Sequence, residues 1–215
     1  MSKSRPIEKI NISTSTEYYD AIANSYSRET EKRKQYIISI NEWVRDWLRS
    51  QLCTNILDVG TGDGKRLLNI LQDVNYLSLS IIEPSTKLIN IAQSNFPKSN
   101  FCNRDLKDCD FPKSSFSHVL SLWNVLGHVT NRHEFAAKIF QLLEPDGYFI
   151  FDVNNRYNIQ NYGFISVARN YLKDILSKAE AGYFILRNSG NSTRVFIHSE
   201  RDAIALMKMT GFEEI

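Results

Sequence analysis

The glycine-rich segment ILDVGTGDG at residues 56–64 constrains this chain more than any other feature of its sequence. A short apolar run ends there and three alternating glycines follow, which is typical of a strand that turns tightly into a helix. Glycine suits such a turn because it tolerates a positive φ and lets bare backbone approach a ligand. Several kinds of nucleotide-binding fold share this spacing, so it predicts a ligand site on an α/β scaffold without naming the ligand.

The acid inside this segment narrows the choice of ligand. Asp58 lies two residues before the first glycine. A carboxylate at that position would repel a pyrophosphate group, whereas it would attract a cationic amine. The segment therefore predicts a nucleoside that carries an amino acid, in preference to a dinucleotide.

Strands and helices alternate downstream of an amphipathic helix near the N-terminus. Apolar residues recur every three or four positions between Tyr36 and Leu52, which predicts a helix with one buried face. The strands after it are nearly continuous apolar runs, as in parallel sheets that helices cover on both faces. We therefore expect an α/β fold with a doubly wound, mostly parallel, Rossmann-like sheet. Its strands are predicted at 55–59, 77–83, 100–103, 118–122 and 148–153, and its helices at 65–72, 86–95, 132–143 and 201–209.

The alternation stops after Asn154, where a polar and aromatic stretch interrupts the pattern. Two β-prone runs at 183–187 and 194–198 flank the turn sequence NSGN, which predicts a β-hairpin. Elements inserted at the strand ends of open α/β sheets often cover substrates. The predicted organisation is a flexible leader (1–15), an N-terminal helical cap (16–54), a ligand-binding core (55–155), a substrate-covering insertion of helix and hairpin (156–199), and a last helix with the start of a sixth strand (200–215).

Composition argues against several classes of partner. The 215 residues carry a formal net charge of +2, so no strong basic field favours nucleic acid. The sequence contains no uninterrupted apolar run of ~18 residues, so we expect no membrane partner. The three cysteines, Cys53, Cys102 and Cys109, lack metal-ligand spacing. We expect them to be buried, reduced thiols in a cytoplasmic protein without a metal site.

Two further acids follow predicted strands, at the edge of the sheet where ligands bind. Glu83 ends the second strand 19 residues after Gly64, where a carboxylate can accept hydrogen bonds from ribose hydroxyls. Asp105 follows the third strand and could accept a hydrogen bond from the amino group of adenine, while Leu106 covers the ring. The alternatives are a solvent-facing carboxylate for Glu83 and a turn residue for Asp105.

With these acids in place, residues 55–152 resemble the class I methyltransferases, a Rossmann-like, seven-stranded family that uses S-adenosylmethionine. The resemblance extends upstream to YDAIANSY at 19–26, which is similar to an element that closes over the cofactor in small-molecule members of the family. The matching stretches, in the order of the family, are LDVGTGDG (57–64), IEPS (82–85), RDL (104–106), LSLWNVLGH (120–128) and LEPDG (143–147).

The resemblance implies S-adenosylmethionine as cofactor and S-adenosylhomocysteine as product, bound by the 55–155 core. The implied contacts are Asp58, Gly60, Thr61, Gly62 and Gly64 for the methionine part, Glu83 and Pro84 for the ribose, Asp105 and Leu106 for the adenine, Leu122, Trp123 and Asn124 beside the sulfonium, and Tyr19, Tyr26 and Arg33 from the N-terminal helix. The alternative for the two tyrosines is packing against the sheet edge. Arg33 lies in a charged run that is typical of a solvated helix face.

The expected chemistry requires little from the protein, because a sulfonium is already a strong electrophile. The enzyme must align a nucleophile with the methyl group and exclude water, and it needs a base only when the nucleophile arrives protonated. His128 follows the predicted fourth strand near the expected transfer site and is the candidate catalytic base. The alternative is a histidine at a helix start that is bonded to backbone or to groups around the cofactor.

A polar cluster at the end of the predicted fifth strand is the candidate substrate contact. Asn154, Asn155 and Arg156 follow that strand at the edge where ligands of such sheets bind. The cluster indicates a polar or acid-bearing small substrate, although asparagines that form a turn are the alternative.

Members of the family usually continue with two more strands, whereas this sequence stops at Ile215, where the sixth strand is expected to begin. We therefore expect a truncated C-terminal sheet edge, through which the chain could associate with another chain. The predicted function is methyl transfer to an oxygen or nitrogen of a small, polar molecule. The alternatives are a tRNA methyltransferase of the wobble-uridine type, whose N-terminal layout is loosely similar, and a non-catalytic cofactor-binding subunit.

Overall fold

A central sheet of five parallel strands organises the chain, in a computed structural model that describes residues 12–31, 34–176, 182–188 and 190–213. The strand order is β3-β2-β1-β4-β5, so successive connections run in opposite directions on either side of β1. This order confirms the predicted doubly wound, parallel α/β fold and opens a crevice at the carboxyl ends of β1 and β4. The strands are β1 (Asn55–Val59), β2 (Ser78–Ile82), β3 (Asn100–Cys102), β4 (Phe116–Ser121) and β5 (Leu143–Phe151).

Helices cover both faces of the sheet, and neighbouring residues of one strand face opposite layers. Ile56 of β1 packs into the layer that contains Val44 and Leu48, while Leu57 packs into the layer that contains Leu126 and Ile139. A strand that is covered by helices on both faces needs apolar residues at nearly every position, as the sequence of these strands shows. The helices are α1 (Ser15–Glu31), α2 (Lys34–Arg49), α3 (Lys65–Ile70), α4 (Thr86–Asn95), α5 (Val125–His128), α6 (Arg132–Leu142), α7 (Ile159–Tyr162), α8 (Phe164–Leu176) and α9 (Glu200–Thr210).

The inserted region contains two helices and the predicted hairpin. Strands β6 (Tyr183–Asn188) and β7 (Asn191–Phe196) pair antiparallel, and Asn188 faces Asn191 at the turn. Strand β7 also holds the N-terminal segment, because the Ser13 N–H donates to the Ser192 carbonyl at 2.8 Å. The predicted leader is thus docked in its described part, from residue 12 onward.

A disulfide joins Cys102 and Cys109, whose Cα atoms lie 6.3 Å apart. The prediction of reduced thiols was wrong for this pair, because the turn after β3 brings the chain back beside the strand end. Cys53 is free and buried, as expected. The cysteines therefore give no support to the predicted cytoplasmic location.

Helix α9 ends at Gly211, whose φ of 105° closes the helix in a left-handed cap. Phe212 then packs against Phe140 and Phe149 at the side of the sheet. The sequence predicts a sixth strand of the central sheet after this helix. None begins up to residue 213, where the described part of the chain stops. Within the same described residues, no helix is long and apolar enough to cross a membrane.

Candidate active site

Two adjoining cavities occupy the crevice at the carboxyl ends of the strands. The first has a volume of about 510 Å³ and is lined by Asp58 and the side chains of α2 and α3. The second, of about 350 Å³, lies beside Glu83 and the N-terminal helix α1. Tyr26, Gly60 and Trp123 line both cavities, so the two form one elongated space over the glycine turn.

The glycine turn adopts the left-handed backbone geometry that its sequence predicts. Gly60, Gly62 and Gly64 all have φ between 61° and 77°, a region that L-residues rarely adopt. A Cβ atom at Gly62 would lie 2.7 Å from the Tyr26 hydroxyl oxygen. The turn is joined to the next strand, because the Gly60 N–H donates to the Ile82 carbonyl at 2.7 Å. A larger residue at Gly62 would therefore displace Tyr26, which with Gly60 and Trp123 forms the passage where the two cavities meet.

Glu83 is buried beneath this turn and supports it. Its two carboxylate oxygens accept hydrogen bonds from the backbone N–H groups of Gly62 and Ser85, each at 2.8 Å. The residue is only 6% exposed, and burial raises its pKa to about 7 even though these two hydrogen bonds oppose the shift. The remaining acceptor capacity of the carboxylate faces the second cavity.

Asp58 ends β1 at the wall of the first cavity. It is 4% exposed, and burial raises its pKa to about 6, while Thr61 and Arg66 oppose the shift. No lysine or arginine within 4.0 Å neutralises this carboxylate among the described residues. Asp58 is thus a buried acid that a cationic ligand group would stabilise.

The far end of the second cavity combines an apolar floor with an acid at its rim. Leu106 is buried in the 3-10 turn that follows β3, and Asp105 is exposed directly before it. Pro84 lines the same cavity beside Glu83. The structure therefore brings all four of these predicted cofactor residues to one cavity.

The backbone after β4 is strained where it meets the passage between the cavities. Trp123 and Asn124 have φ values of 78° and 57°, although neither is glycine. Asp152 holds this bend, because its Oδ1 atom accepts from the Asn124 N–H at 2.6 Å. The Asn154 N–H in turn donates to Asn124 Oδ1 at 3.1 Å. Hydrogen bonds between the ends of β4 and β5 thus fix Trp123 where the two cavities meet. Leu122 lines the first cavity beside Trp123.

Helix α1 closes the second cavity from the N-terminal side. Tyr19 and Tyr26 line it, with ring centroids 5.9 Å apart in an edge-to-face contact. Asp20 fixes the helix to α4, because its Oδ1 atom accepts from Ser85 Oγ at 2.5 Å and from the Lys87 N–H at 3.1 Å. Arg33, the third predicted contact from this part of the chain, lies outside the described residues.

His128 has both ring nitrogens in hydrogen-bond contact with hydroxyl groups of α1. Nε2 lies 2.9 Å from the Tyr19 hydroxyl and Nδ1 lies 3.3 Å from Ser15 Oγ, which also donates to the His128 carbonyl. One tautomer satisfies all three contacts, with the proton on Nδ1 and Nε2 accepting from Tyr19. Burial lowers the pKa of His128 to about 4, so the ring is neutral at physiological pH.

The predicted substrate cluster does not line the two cavities, whose lining residues, among the described part of the chain, include none from 154–199. Arg156 is 4% exposed, donates to Asp174 Oδ2 at 2.8 Å and pairs with Asp202. Asn155 accepts from the Tyr157 N–H in a local turn. These contacts match the charge of Arg156 within the protein, between α8 and α9, and its role as a substrate contact stays a prediction.

Arg66 is a site residue that the sequence interpretation missed. Its Nε atom donates to Asn41 Oδ1 at 2.7 Å, and Nη1 lies 3.0 Å from Asp152 Oδ2. The guanidinium also lies 5.6 Å from the centroid of the Trp123 ring. Its Nη2 atom is buried at the first cavity and has no hydrogen-bond partner among the described residues. Its position in the first turn of the helix that follows Gly64 could have identified it from the sequence.

The described residues contain no group of three or more histidine, cysteine or acidic side chains that could hold a metal ion. The polar groups described above come from separate elements: the Asp58 carboxylate from β1, the Glu83 carboxylate from the residue after β2, and the Arg66 guanidinium from α3. Such an arrangement suits an extended organic ligand with several separate polar groups.

Comparison with known proteins gives a family match and several relatives. The model of a family described as a methyltransferase domain matches residues 17–215. A ubiquinone/menaquinone biosynthesis C-methyltransferase from Campylobacter jejuni is 27% identical over 182 residues, which cover 78% of this chain and 73% of that protein. An uncharacterised protein from Methanocaldococcus jannaschii is 26% identical over 181 residues, which cover 83% of this chain and 64% of that protein.

Solved structures share the fold at low sequence identity. A DhpI–SAM–HEP complex has a TM-score of 0.67 at 19% identity, with 91% of this chain and 86% of that chain covered. A SAM-dependent methyltransferase from Thermotoga maritima has a TM-score of 0.64 at 16% identity, with 92% of this chain and 81% of that chain covered.

Proposed function

Since the chain belongs to the family of methyltransferase domains and is an S-adenosylmethionine-dependent enzyme, we propose that it methylates an oxygen or nitrogen of a small, polar molecule. The observation that carries this proposal is the pair of adjoining cavities, which meet at Tyr26, Gly60 and Trp123. The second cavity has the polar groups that an adenosine needs. The first cavity has the volume and the polar groups for the methionine end of the cofactor and for an acceptor.

The second cavity fits the adenosine half of the cofactor. In our assignment Glu83 accepts hydrogen bonds from the ribose hydroxyls, Asp105 accepts from the adenine amino group, and Leu106 lies against the ring. The lone pairs that Glu83 leaves free after binding the backbone of Gly62 and Ser85 support this assignment. A ligand that donates to this carboxylate favours its charged form and so offsets the desolvation that raises its pKa.

The first cavity supplies opposite charges for the two ends of an amino acid. In our assignment Asp58 binds the methionine ammonium, and Arg66 binds the carboxylate through its unpartnered Nη2 atom. Asn41 and Asp152 hold the guanidinium in place, so little side-chain freedom is lost when the ligand binds. The glycine turn lies between these charges and leaves space for the cofactor backbone.

The bound cofactor supplies an electrophilic methyl group, and the protein is left to align the acceptor and exclude water. Trp123 is positioned for this task, because the strained backbone after β4 holds it where the two cavities meet. His128 is held neutral by burial and by its contact with Tyr19. Tyr19 and His128 line the second cavity, so we propose that the reacting atom of the acceptor lies where the two cavities meet. An acceptor that arrives protonated would there give its proton to the Tyr19 oxygen while Tyr19 passes its own proton to His128 Nε2, a modest base contribution at a pKa of about 4.

The lining of the first cavity supports a polar acceptor. Beyond Asp58 and Arg66 it carries the side chains of Asn41, Arg45 and Asn69, and apolar groups of α2 complete the wall. A volume of about 510 Å³ accommodates a methionine end together with a small molecule, whereas a folded nucleic acid would need an extended basic surface.

Transfer of a labelled methyl group tests the proposal. The enzyme is incubated with methyl-labelled S-adenosylmethionine and a panel of small hydroxy acids, amino acids, amines and phenols, and the labelled product is identified by NMR. We expect label on an oxygen or nitrogen, and Glu83→Ala serves as the matched inactive control.

Label on a carbon atom would contradict the proposed acceptor class and favour C-methylation, the activity in the name of the Campylobacter jejuni relative. Label in added total tRNA would instead support a tRNA methyltransferase. Tight cofactor binding without transfer to the panel, to tRNA or to phenolic carbons would favour a non-catalytic subunit and overturn the proposal.

A further inference from the structure

Helix α8 presents its apolar side to solvent. Ile165 is 84% exposed and Leu176 is 80% exposed, although each would be expected in a core. The exposed apolar residues occupy one side of the helix in two groups seven residues, or two turns, apart, and Ala168 lies on the same side between them. The exposed members of this apolar stripe are Phe164, Ile165, Tyr171, Leu172, Ile175 and Leu176.

The polar side of the same helix faces the protein, which reverses the usual orientation of a surface helix. Asn170 is buried, and Asp174 accepts from Arg156 at 2.8 Å. Arg156 is itself held by Asp202 at the start of α9. The outward orientation of the apolar stripe is therefore fixed by a buried ion pair.

Cationic residues border the apolar stripe. Arg169 and Lys173 are exposed on α8 itself, and Arg187 and Arg194 are exposed on the hairpin that follows it in sequence. Among the described residues between 157 and 198, the acidic side chain is Asp174, which faces inward. The exposed charge of this surface is accordingly positive, which complements an anionic partner.

We propose that α8 docks its apolar stripe into the surface of an anionic lipid bilayer, with Arg169 and Lys173 at the level of the lipid headgroups. An amphipathic helix with an apolar face and basic borders binds membranes in this way without spanning them. The inference goes beyond the proposed methyl transfer and does not depend on its acceptor. It also changes the expectation of no membrane partner, which rested on the lack of a spanning segment.

Charge favours a bilayer over a second copy of the chain. A symmetric contact between two copies would bring the exposed Arg169 and Lys173 of one helix close to the same cations of the other, which costs free energy. An anionic bilayer neutralises these cations, and each apolar side chain can enter it separately.

Sedimentation with lipid vesicles tests the proposal on the whole chain. The probes are large vesicles of phosphatidylglycerol and phosphatidylcholine in equal amounts, with vesicles of pure phosphatidylcholine for comparison. We expect binding to the mixed vesicles that weakens about tenfold in Ile165→Ser/Leu176→Ser and several-fold, about three to five, in Arg169→Gln/Lys173→Gln at low salt. The matched controls are Leu77→Ser, an exposed leucine before β2, and Lys98→Gln/Lys113→Gln, which removes the same charge elsewhere.

Absence of vesicle binding by the unmodified chain would overturn the proposal, and so would equal binding by the α8 variants and their controls. A concentration-dependent dimer that Ile165→Ser/Leu176→Ser abolishes in analytical ultracentrifugation would identify a second copy as the occupant and would likewise overturn it. Cofactor affinity, measured by calorimetry, is expected to be unchanged in all these variants, which separates this result from a failure of the proposed function.

Discussion

Buried charges are treated in opposite ways at the strand ends and in the inserted region. At the strand ends, burial raises the pKa of Glu83 to about 7 and that of Asp58 to about 6. Burial also acts to raise the pKa of Asp202 at the start of α9, but the Ser199 N–H and Arg156 of the inserted region hold it below the ordinary value. The charge of Arg156 is therefore neutralised within the protein, whereas Glu83 and Asp58 have no cation paired with them among the described residues.

This difference in charge pairing distinguishes a polar cluster that binds a ligand from one that stabilises the fold. A buried group costs free energy unless it is paired, so a folded chain retains an unpaired one only where a bound molecule or a function compensates. Glu83, Asp58 and the Nη2 atom of Arg66 fit that description, and Arg156 does not. Substitutions in the two regions should therefore have separable effects on ligand affinity and on stability.

The largest effect is expected from Glu83→Ala. The substitution removes the proposed ribose acceptor and the anchor of the glycine turn together, since Glu83 accepts from the Gly62 N–H. We expect the affinity for S-adenosylmethionine to fall about 100-fold or more, as measured by calorimetry. Glu42→Ala, on an exposed face of α2, is the control and should leave affinity unchanged. Unaltered affinity in Glu83→Ala would remove the basis of the ribose assignment.

Arg156→Met is expected to give the reverse pattern. The variant leaves Asp174 and Asp202 without their cation, and breaking a buried pair destabilises proteins by about 3 kcal/mol. We expect a lower midpoint in urea unfolding together with an unchanged affinity for S-adenosylhomocysteine below that midpoint. Arg201→Met, an exposed arginine on α9, is the matched control. A selective loss of affinity or of acceptor KM in Arg156→Met would support the substrate role predicted from sequence.

The sequence predicted the glycine turn, the acid near the end of β1 and the acid after β2 because their positions depend on local geometry. Gly60, Gly62 and Glu83 lie where a parallel strand must end and turn, whatever packs around it. The roles of Arg156 and His128 depend on partners far along the chain. Arg156 meets Asp202, and His128 meets Tyr19, which is 109 residues away in sequence.

Residue spacing within one segment contains no information about such distant partners. The disulfide was missed for a related reason. Cys102 and Cys109 are close in sequence, but a pairing requires the chain to turn back after β3, which no local pattern announced. The orientation of α8 is a similar case, since its amphipathic pattern is visible in the sequence whereas its outward side depends on Arg156. The fold was thus predictable to within a few residues at most element ends, and the site only where its residues follow strands.

The pH dependence of stability should reveal the unbalanced charge at the strand ends. Because burial raises the pKa of Glu83 from 4.5 to about 7, the folded state holds a proton that the unfolded state releases. The resulting stability is present below pH 4.5 and is lost as the pH rises through 7. We expect Glu83 to contribute a decrease of about 3 kcal/mol in the free energy of unfolding between pH 4.5 and 8.

The difference between the unmodified chain and Glu83→Gln isolates this contribution from that of His128, whose lowered pKa acts in the opposite sense between pH 6.5 and about 4. Chemical unfolding of both proteins, without ligand, at pH 5 and pH 8 provides the measurement. Parallel curves for the two proteins would show that Glu83 is not protonated in the folded state near pH 6.

Arg66→Met is expected to separate the two halves of the cofactor. The guanidinium is proposed to bind the methionine carboxylate, which 5′-methylthioadenosine lacks. We expect the affinity for S-adenosylhomocysteine to fall about tenfold while that for 5′-methylthioadenosine is unchanged, with Arg49→Met as an exposed control. Equal losses for both ligands would instead indicate that Arg66 supports the cavity wall through Asn41 and Asp152.

The smallest effect is expected from His128→Ala, and it bears on whether this residue belongs to the chemistry or to the cavity. Tyr19 donates to the same ring nitrogen that would receive a proton, so the two side chains should act as one unit. We expect turnover to fall about fivefold in His128→Ala and in Tyr19→Phe, with no further loss in the double variant and less than about twofold change in cofactor affinity. Comparable losses of turnover and affinity would make His128 a residue of the cofactor cavity, where its lowered pKa reflects burial alone.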